Sequence, residues 1–189
     1  KQPSAAQIIS AISGNEAKEV VILPADRDTH PAADLAASRL RSLGYRVSVI
    51  PSRAITQSLA AIAIHDPGLD FDQDVVAMTR AAGATRYGAI TQATRDVLTM
   101  AGACNSGDYL GLIDGEISAI DSDLVASSRN VLRRMLAPGA ELLTVVTGAE
   151  VTDIQIESLL AWIKGGYPLI ECEFVSGEQP LWPFIFGVE

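Results

Sequence analysis

An α/β fold, with a parallel βαβ unit in the first half and a mixed sheet carrying a β-hairpin in the second, follows from three features of the sequence. Glu19-Val-Val-Ile-Leu23 is a continuous apolar run closed by Pro24, the pattern of a strand buried on both faces. A helix-period segment separates it from Arg46-Val-Ser-Val-Ile50, and strand, helix and strand of that length close as a right-handed crossover. Farther on, Asp114-Gly115 stands between Tyr109–Ile113 and Glu116–Ile120. A two-residue turn of this kind needs positive φ at both positions, which Asp and Gly tolerate, so a hairpin is predicted there.

The remaining elements follow in chain order. Ala5, Ile8, Ile9 and Ile12 are spaced as one helical face over 4–13, and Gly14 closes it. After the polar loop Ala25 to His30, Pro31 suits a first helical turn. Ala32, Leu35, Ala36, Leu40 and Leu43 then form one stripe that ends at Gly44. Residues 54–64 predict a short Ala-rich helix, Asp66 to Asp70 a turn, and 71–82 a further helix. Arg86–Gln92 is a third strand. Ser122 or Asp123 caps a helix whose buried stripe is Leu124, Val131, Leu132, Met135 and Leu136. Arg133 and Arg134 oppose the negative end of its dipole, and Pro138-Gly139 stop it. Glu141–Thr147 is a strand. Thr152 and Gln155 have capping-box spacing for a helix to Lys164, which Gly165-Gly166 terminates. Leu169–Val175 and Pro183–Val188 are the last strands, the second expected at a sheet edge because it carries prolines. The whole reads as a single α/β domain over 1–189, with lobes 1–84 and 85–189.

Composition restricts the function classes. With 189 residues, 48% of them hydrophobic, the chain can bury a core and is not disordered. No apolar run has the length of a membrane span. A net charge of −9 disfavours nucleic acid and anionic membranes as partners. From Glu150 onward seven acidic residues face Lys164 alone, a balance of −6 within that total. This is either a solvated surface or a landing face for a basic partner. Cys104, in a Gly/Asn/Ser loop, and Cys172, in an apolar strand, are too few for a disulfide or zinc framework and fit a reducing cytoplasm. The start Lys1-Gln2-Pro3-Ser4 lacks a secretory core and reads as an interior point of a longer protein.

The sequence holds no GxxxxGK[ST], no GxGxxG after the first strand and no GxSxG, so no catalytic residue and no metal or cofactor site is expected. Asp26, Asp28, Thr29 and His30 lie in the loop after the first strand, where parallel sheets bind ligands and a His beside carboxylates can serve as general base or nucleophile; a solvated loop with a helix cap is the reading. Asp70, Asp72 and Asp74 alternate like the start of a calcium loop. Val75 occupies the position that needs Gly and Ala81 the one that needs Glu, so helix-start carboxylates are the reading. His65 before Asp66-Pro67 reads as a cap, and Arg95-Asp96 as a loop-orienting pair or exposed charge. Trp182, Phe184 and Phe186 alternate onto one face of the last strand.

The ending Gln179-Pro-Leu-Trp-Pro-Phe-Ile-Phe-Gly-Val-Glu189 resembles the C-terminus of bacterial proteins related to dihydroxyacetone kinase that serve as the kinase subunit of fatty acid kinase. Val49-Ile-Pro-Ser-Arg-Ala-Ile-Thr-Gln57, Ala89-Ile-Thr-Gln-Ala-Thr-Arg-Asp96 and Gly107-Asp-Tyr-Leu-Gly-Leu-Ile-Asp-Gly115 are similar to three internal segments of that family. The likeness runs from about Glu19 to Glu189. Ser58 and Glu178 stand where the family usually has Gly, Val97 where a hydroxyl residue is common, and Trp182 where Tyr is usual. The resemblance implies a DegV- or dihydroxyacetone-kinase-like fold. It places ATP and magnesium in an N-terminal kinase domain outside these residues, and implies docking of a separate DegV-type fatty-acid-binding protein.

Two functions are therefore expected of the chain, neither enzymatic by itself. One is partner docking, with Glu171, Glu173, Glu178 and Trp182 as the first candidate surface and Arg53, Gln57 and Arg95 as the second. The other is a small-molecule site, acyl or triose, near His30, Ser52 and Thr147 at the ends of the parallel strands. A homodimer is left open.

Overall fold

The computed structural model describes residues 2–189. The chain divides between Thr85 and Arg86 into two compact units.

The first unit contains α1 (Ala5–Ser13), β1 (Glu19–Ile22), α2 (His30–Ser42), β2 (Arg46–Val49), α3 (Ile55–Ala63) and α4 (Phe71–Ala84). β1 and β2 pair in parallel, Glu19 opposite Arg46 through Ile22 opposite Val49, as the apolar runs predict. Helices cover both faces. On one, Ala37 and Leu40 of α2 and Ile9 and Ile12 of α1 meet Val20, Ile22 and Val47. On the other, Ala61 of α3 and Met78 and Ala82 of α4 meet Val21, Leu23 and Ile50. Local chemistry fixes the helix starts. Ser4 and Gln7 form a capping box on α1, and Asp70 caps α4 by accepting from Asp72 N at 3.0 Å.

The second unit contains β3 (Arg86–Gln92), β4 (Val97–Thr99), β5 (Gly102–Cys104), β6 (Tyr109–Ile113), β7 (Glu116–Asp121), α5 (Leu124–Met135), β8 (Leu142–Thr147), α6 (Asp153–Gly166), β9 (Glu171–Ser176) and β10 (Phe184–Val188). Six strands form one mixed sheet in the order β7-β6-β3-β10-β8-β9. β8 and β9 are parallel and the other neighbours antiparallel. The β6–β7 hairpin turns on Asp114 at φ 53° and Gly115 at φ 89°. α5 buries Leu124, Val131, Leu132, Met135 and Leu136, as its spacing predicts, together with Leu159 and Ile163 of α6. The close approach of α5 to the sheet rests on glycine: a Cβ on Gly111 would lie 2.4 Å from Val131 Cγ2.

Three expectations are corrected. β10 is not an edge strand; it lies at the centre of the sheet between β3 and β8. Pro180 and Pro183 precede the strand, so its amides are free to pair on both sides. Second, Cys104 does not lie in a loop; it is the last, buried residue of β5 in a small β4–β5 hairpin. Third, α6 runs through Gly165 and Gly166 and stops at Tyr167, where the backbone leaves the helical region at φ −137°. Among the described residues, no helix is long and apolar enough to cross a membrane.

Candidate docking surface

β9 is one of the two edge strands of the six-stranded sheet, β7 being the other, and strand alternation sorts its side chains. Cys172 and Phe174 turn inward against the core cluster of α6 and β8. Glu171 and Glu173 turn outward and are exposed, as their two-residue spacing predicts. Burial pushes the Cys172 thiol up to about 11, so it carries no thiolate nucleophile at neutral pH. Glu189, beyond the end of β10, adds to the acidic edge. Partial burial, and then the neighbouring Glu173 charge, hold its carboxyl above the ordinary range.

The loop from β9 into β10 is tied to the end of β8. Gly177 N donates to Thr147 O at 2.9 Å, Ala149 N to Gln179 O at 3.1 Å and Gly148 N to Pro183 O at 2.8 Å. Inside the loop, Gln179 Nε2 donates to Trp182 O at 2.9 Å. Glu178 is exposed and held at φ 52°, a left-handed conformation that favours glycine. Leu181 is 71% exposed, and Trp182 is half-buried. Phe184 and Phe186, by contrast, are fully buried and stacked, ring centroids 6.0 Å apart. Of the three alternating aromatics only Trp182 therefore reaches the surface. Glu171, Glu173, Glu178 and Trp182 thus lie on consecutive segments of one unit, with backbone geometry fixed by hydrogen bonds.

The second candidate set has members in both units. Arg53 and Gln57 belong to the first unit, where Gln57 uses both ends of its amide: Oε1 accepts from Arg53 N at 2.7 Å and Nε2 donates to Thr85 O at 3.0 Å. Arg95 is exposed in the second unit, and its neighbour Asp96 accepts from Ser106 N at 2.7 Å.

The small-molecule candidates likewise belong to both units. His30 and Ser52 do meet at the ends of β1 and β2, through His30 Nε2–H and Ser52 O. The buried Ser52 hydroxyl donates to Pro24 O at 2.7 Å, and Ser58 Oγ lies 2.8 Å from Pro24 O and 3.0 Å from Ser52 Oγ. Asp26 accepts from Thr29 N and Thr29 Oγ1, each at 2.8 Å, which makes it a cap. Thr147, in the second unit, has its hydroxyl 3.4 Å from Val175 O.

Two features escape sequence reasoning. Leu98 and Met100, at the tip of the β4–β5 hairpin, are 82% and fully exposed; Gly102 after a short Val-Leu-Thr run is their signal. The other is His65, whose Nδ1 lies 2.7 Å from Asp74 Oδ2, with Asp66 N donating to Asp74 Oδ1 at 3.0 Å. Asp72 pairs with Arg46 at 2.8 Å, so the three alternating Asp side chains serve a cap, an ion pair and a turn. Among the described residues, no three His, Cys, Asp or Glu side chains are grouped to hold a metal ion.

The family model for the C-terminal part of FakA-like fatty acid kinase proteins matches residues 1–189. Uncharacterized proteins of Staphylococcus haemolyticus (strain JCSC1435) and Staphylococcus aureus (strain USA300) are each 28% identical over 187 residues. The alignment takes in 99% of this chain and 33% and 34% of theirs, so the chain spans about a third of the length of these relatives. Among solved structures, the Streptococcus pneumoniae fatty acid kinase B3 protein loaded with linoleic acid superposes with a TM-score of 0.67 at 15% identity, over 99% of this chain and 76% of that one. A Ruminococcus gnavus DegV-family protein gives 0.71 at 9% identity, over 100% and 78%. The dihydroxyacetone kinase of C. freundii, in complex with AMP-PNP and Mg2+, gives 0.68 at 13% identity, over 98% and 41%. At these identities the solved structures show the fold alone, and it is the DegV and dihydroxyacetone kinase fold.

Proposed function

The chain belongs to the FakA-like C-terminal family of fatty acid kinase proteins, and from that premise we propose that it is the partner-docking domain of a fatty acid kinase. It holds a DegV-type fatty-acid-binding protein near an ATP-binding domain carried elsewhere on the longer protein. The observation that carries this reading is the ordered acidic edge. Glu171 and Glu173 project from an edge strand, and Glu178 and Trp182 sit on a loop bonded to β8. Fixed exposed charges steer a complementary partner, and a half-buried aromatic beside them supplies an anchor at little cost in ordering. ATP and magnesium act outside this domain, and the isolated chain catalyses nothing. The alternative, a small-molecule site beside His30 and Ser52, is less well served. The hydroxyls there are already bonded to Pro24 O, and Ser52 is fully buried.

The test uses the DegV-type fatty-acid-binding protein of the same organism, loaded with acyl chain, in surface-binding kinetics. Trp182→Ala is expected to raise the dissociation rate on the order of tenfold or more, while leaving the melting temperature within a few degrees. An unchanged dissociation rate, or no binding by the unaltered chain, contradicts the proposal.

A further inference from the structure

The sheet of the first unit has two strands and an open edge at β1. Parallel sheets ordinarily have several strands with both faces covered, because an open edge leaves amides and carbonyls unpaired. Among the described residues, β1 pairs with β2 alone. Lys18 O and Ile22 O accept from Arg46 N and Ile50 N at 2.7 and 2.9 Å. In a parallel ladder the backbone groups of Lys18, Val20 and Ile22 therefore turn toward β2, and those of Glu19, Val21 and Leu23 turn away from it.

Side-chain burial agrees. β1 is apolar apart from Glu19, yet none of its residues is fully buried, whereas Val47 of β2 is. A cleft lies on each side of β1. One, of about 440 Å³, is lined by Val21 and Leu23 with Ile62, Leu69, Phe71 and Met78. The other, of about 430 Å³, is lined by Ile22 and Pro24 with Pro3 and Ile8. A strand added at this edge would send alternate side chains into the two clefts, as strand geometry requires.

We propose that the free edge of β1 takes one further parallel strand, an extended apolar segment supplied by the same protein from outside these 189 residues. Two observations favour the protein's own chain over a separate partner. The curated relatives are about three times as long as the matched region. The DegV-fold neighbours match this chain over 99% and 100% of its length, yet 76% and 78% of theirs is covered, so the same fold carries more chain there. The added strand would complete an intramolecular sheet, in the manner of strand addition to an exposed edge.

Amide exchange resolved to single residues tests this on the natural full-length protein and on the 189-residue chain. In the short chain, Val20 and Ile22 amides are expected to be protected and Val21 and Leu23 amides to exchange fast. In the full-length protein, Val21 and Leu23 should slow on the order of a hundredfold. Val21→Pro, which deletes the outward amide as well as packing against α3 and α4, should lower the melting temperature of the full-length protein by several degrees more than that of the short chain. Equal exchange at Val21 and Leu23 in both proteins overturns the proposal. So does protection in the short chain that rises with its concentration, or that appears only when the fatty-acid-binding protein is added.

Discussion

Gly111 and Glu178 show how single residues decide this structure. A Cβ at position 111 would meet Val131 Cγ2 at 2.4 Å and Ala119 Cβ at 3.2 Å. Val131 is fully buried in the middle of α5 and has no room to retreat. Gly111→Ala is therefore expected to destabilise the second unit by about 1–3 kcal/mol, read from urea unfolding. Glu178 is the opposite case, a side chain where the backbone prefers none. At φ 52° an L-residue is strained by roughly 1–2 kcal/mol, part of which glycine loses again in unfolded-state entropy. Glu178→Gly is expected to raise stability by about 1 kcal/mol while removing one charge of the acidic edge. The sequence marks this position, because the family it resembles usually has Gly there. The reason, a left-handed turn anchored through Gly177 and Gln179 to β8, is visible only once β8 lies beside the loop.

Elements are legible where they announce themselves locally. The β1 and β2 runs, the Asp114-Gly115 turn and the Thr152–Gln155 capping box each follow from neighbouring residues and are present in the fold. The place of β10 is not legible, because its position between β3 and β8 is set by residues about forty and a hundred positions away. The β4–β5 hairpin escapes for a related reason: three-residue strands carry too short a pattern to separate from a loop. The α3–α4 connection is a further case, since Asp74 and His65 look like unrelated polar residues until the turn folds. The backbone N–H of Asp66 and then His65 hold the Asp74 carboxyl below its ordinary range, against the opposing effect of burial. A carboxyl whose folded value is depressed stabilises the fold above the unfolded value and loses that contribution as pH falls through the folded one. Asp74→Asn is thus expected to lower the melting temperature at neutral pH, and the gap from the unaltered chain should close in strong acid. A gap that is constant from neutral to acid pH contradicts this assignment.

At the scale of the whole chain, charge and the missing phosphate loops argue together. With a net charge of −9 and no glycine-rich cradle, the chain is expected to show no micromolar isotherm with ATP and magnesium in titration calorimetry. A clear micromolar isotherm would move the nucleotide site into this domain. The acidic balance after Glu150 is plain in the sequence. That Glu171, Glu173 and Glu178 lie along an edge strand and a bonded loop requires the sheet order, in which β9 comes last. The central claim is that this edge steers a partner, and the most direct measurement is the association rate constant as a function of salt. For the unaltered chain and the fatty-acid-binding protein, the rate should fall as screening shortens to about 8 Å near physiological ionic strength. Reversal of Glu171, Glu173 and Glu178 to Lys together should slow association about tenfold at low salt, flatten the salt dependence and leave the melting temperature nearly unchanged. An association rate and a salt slope identical to those of the unaltered chain would contradict the account.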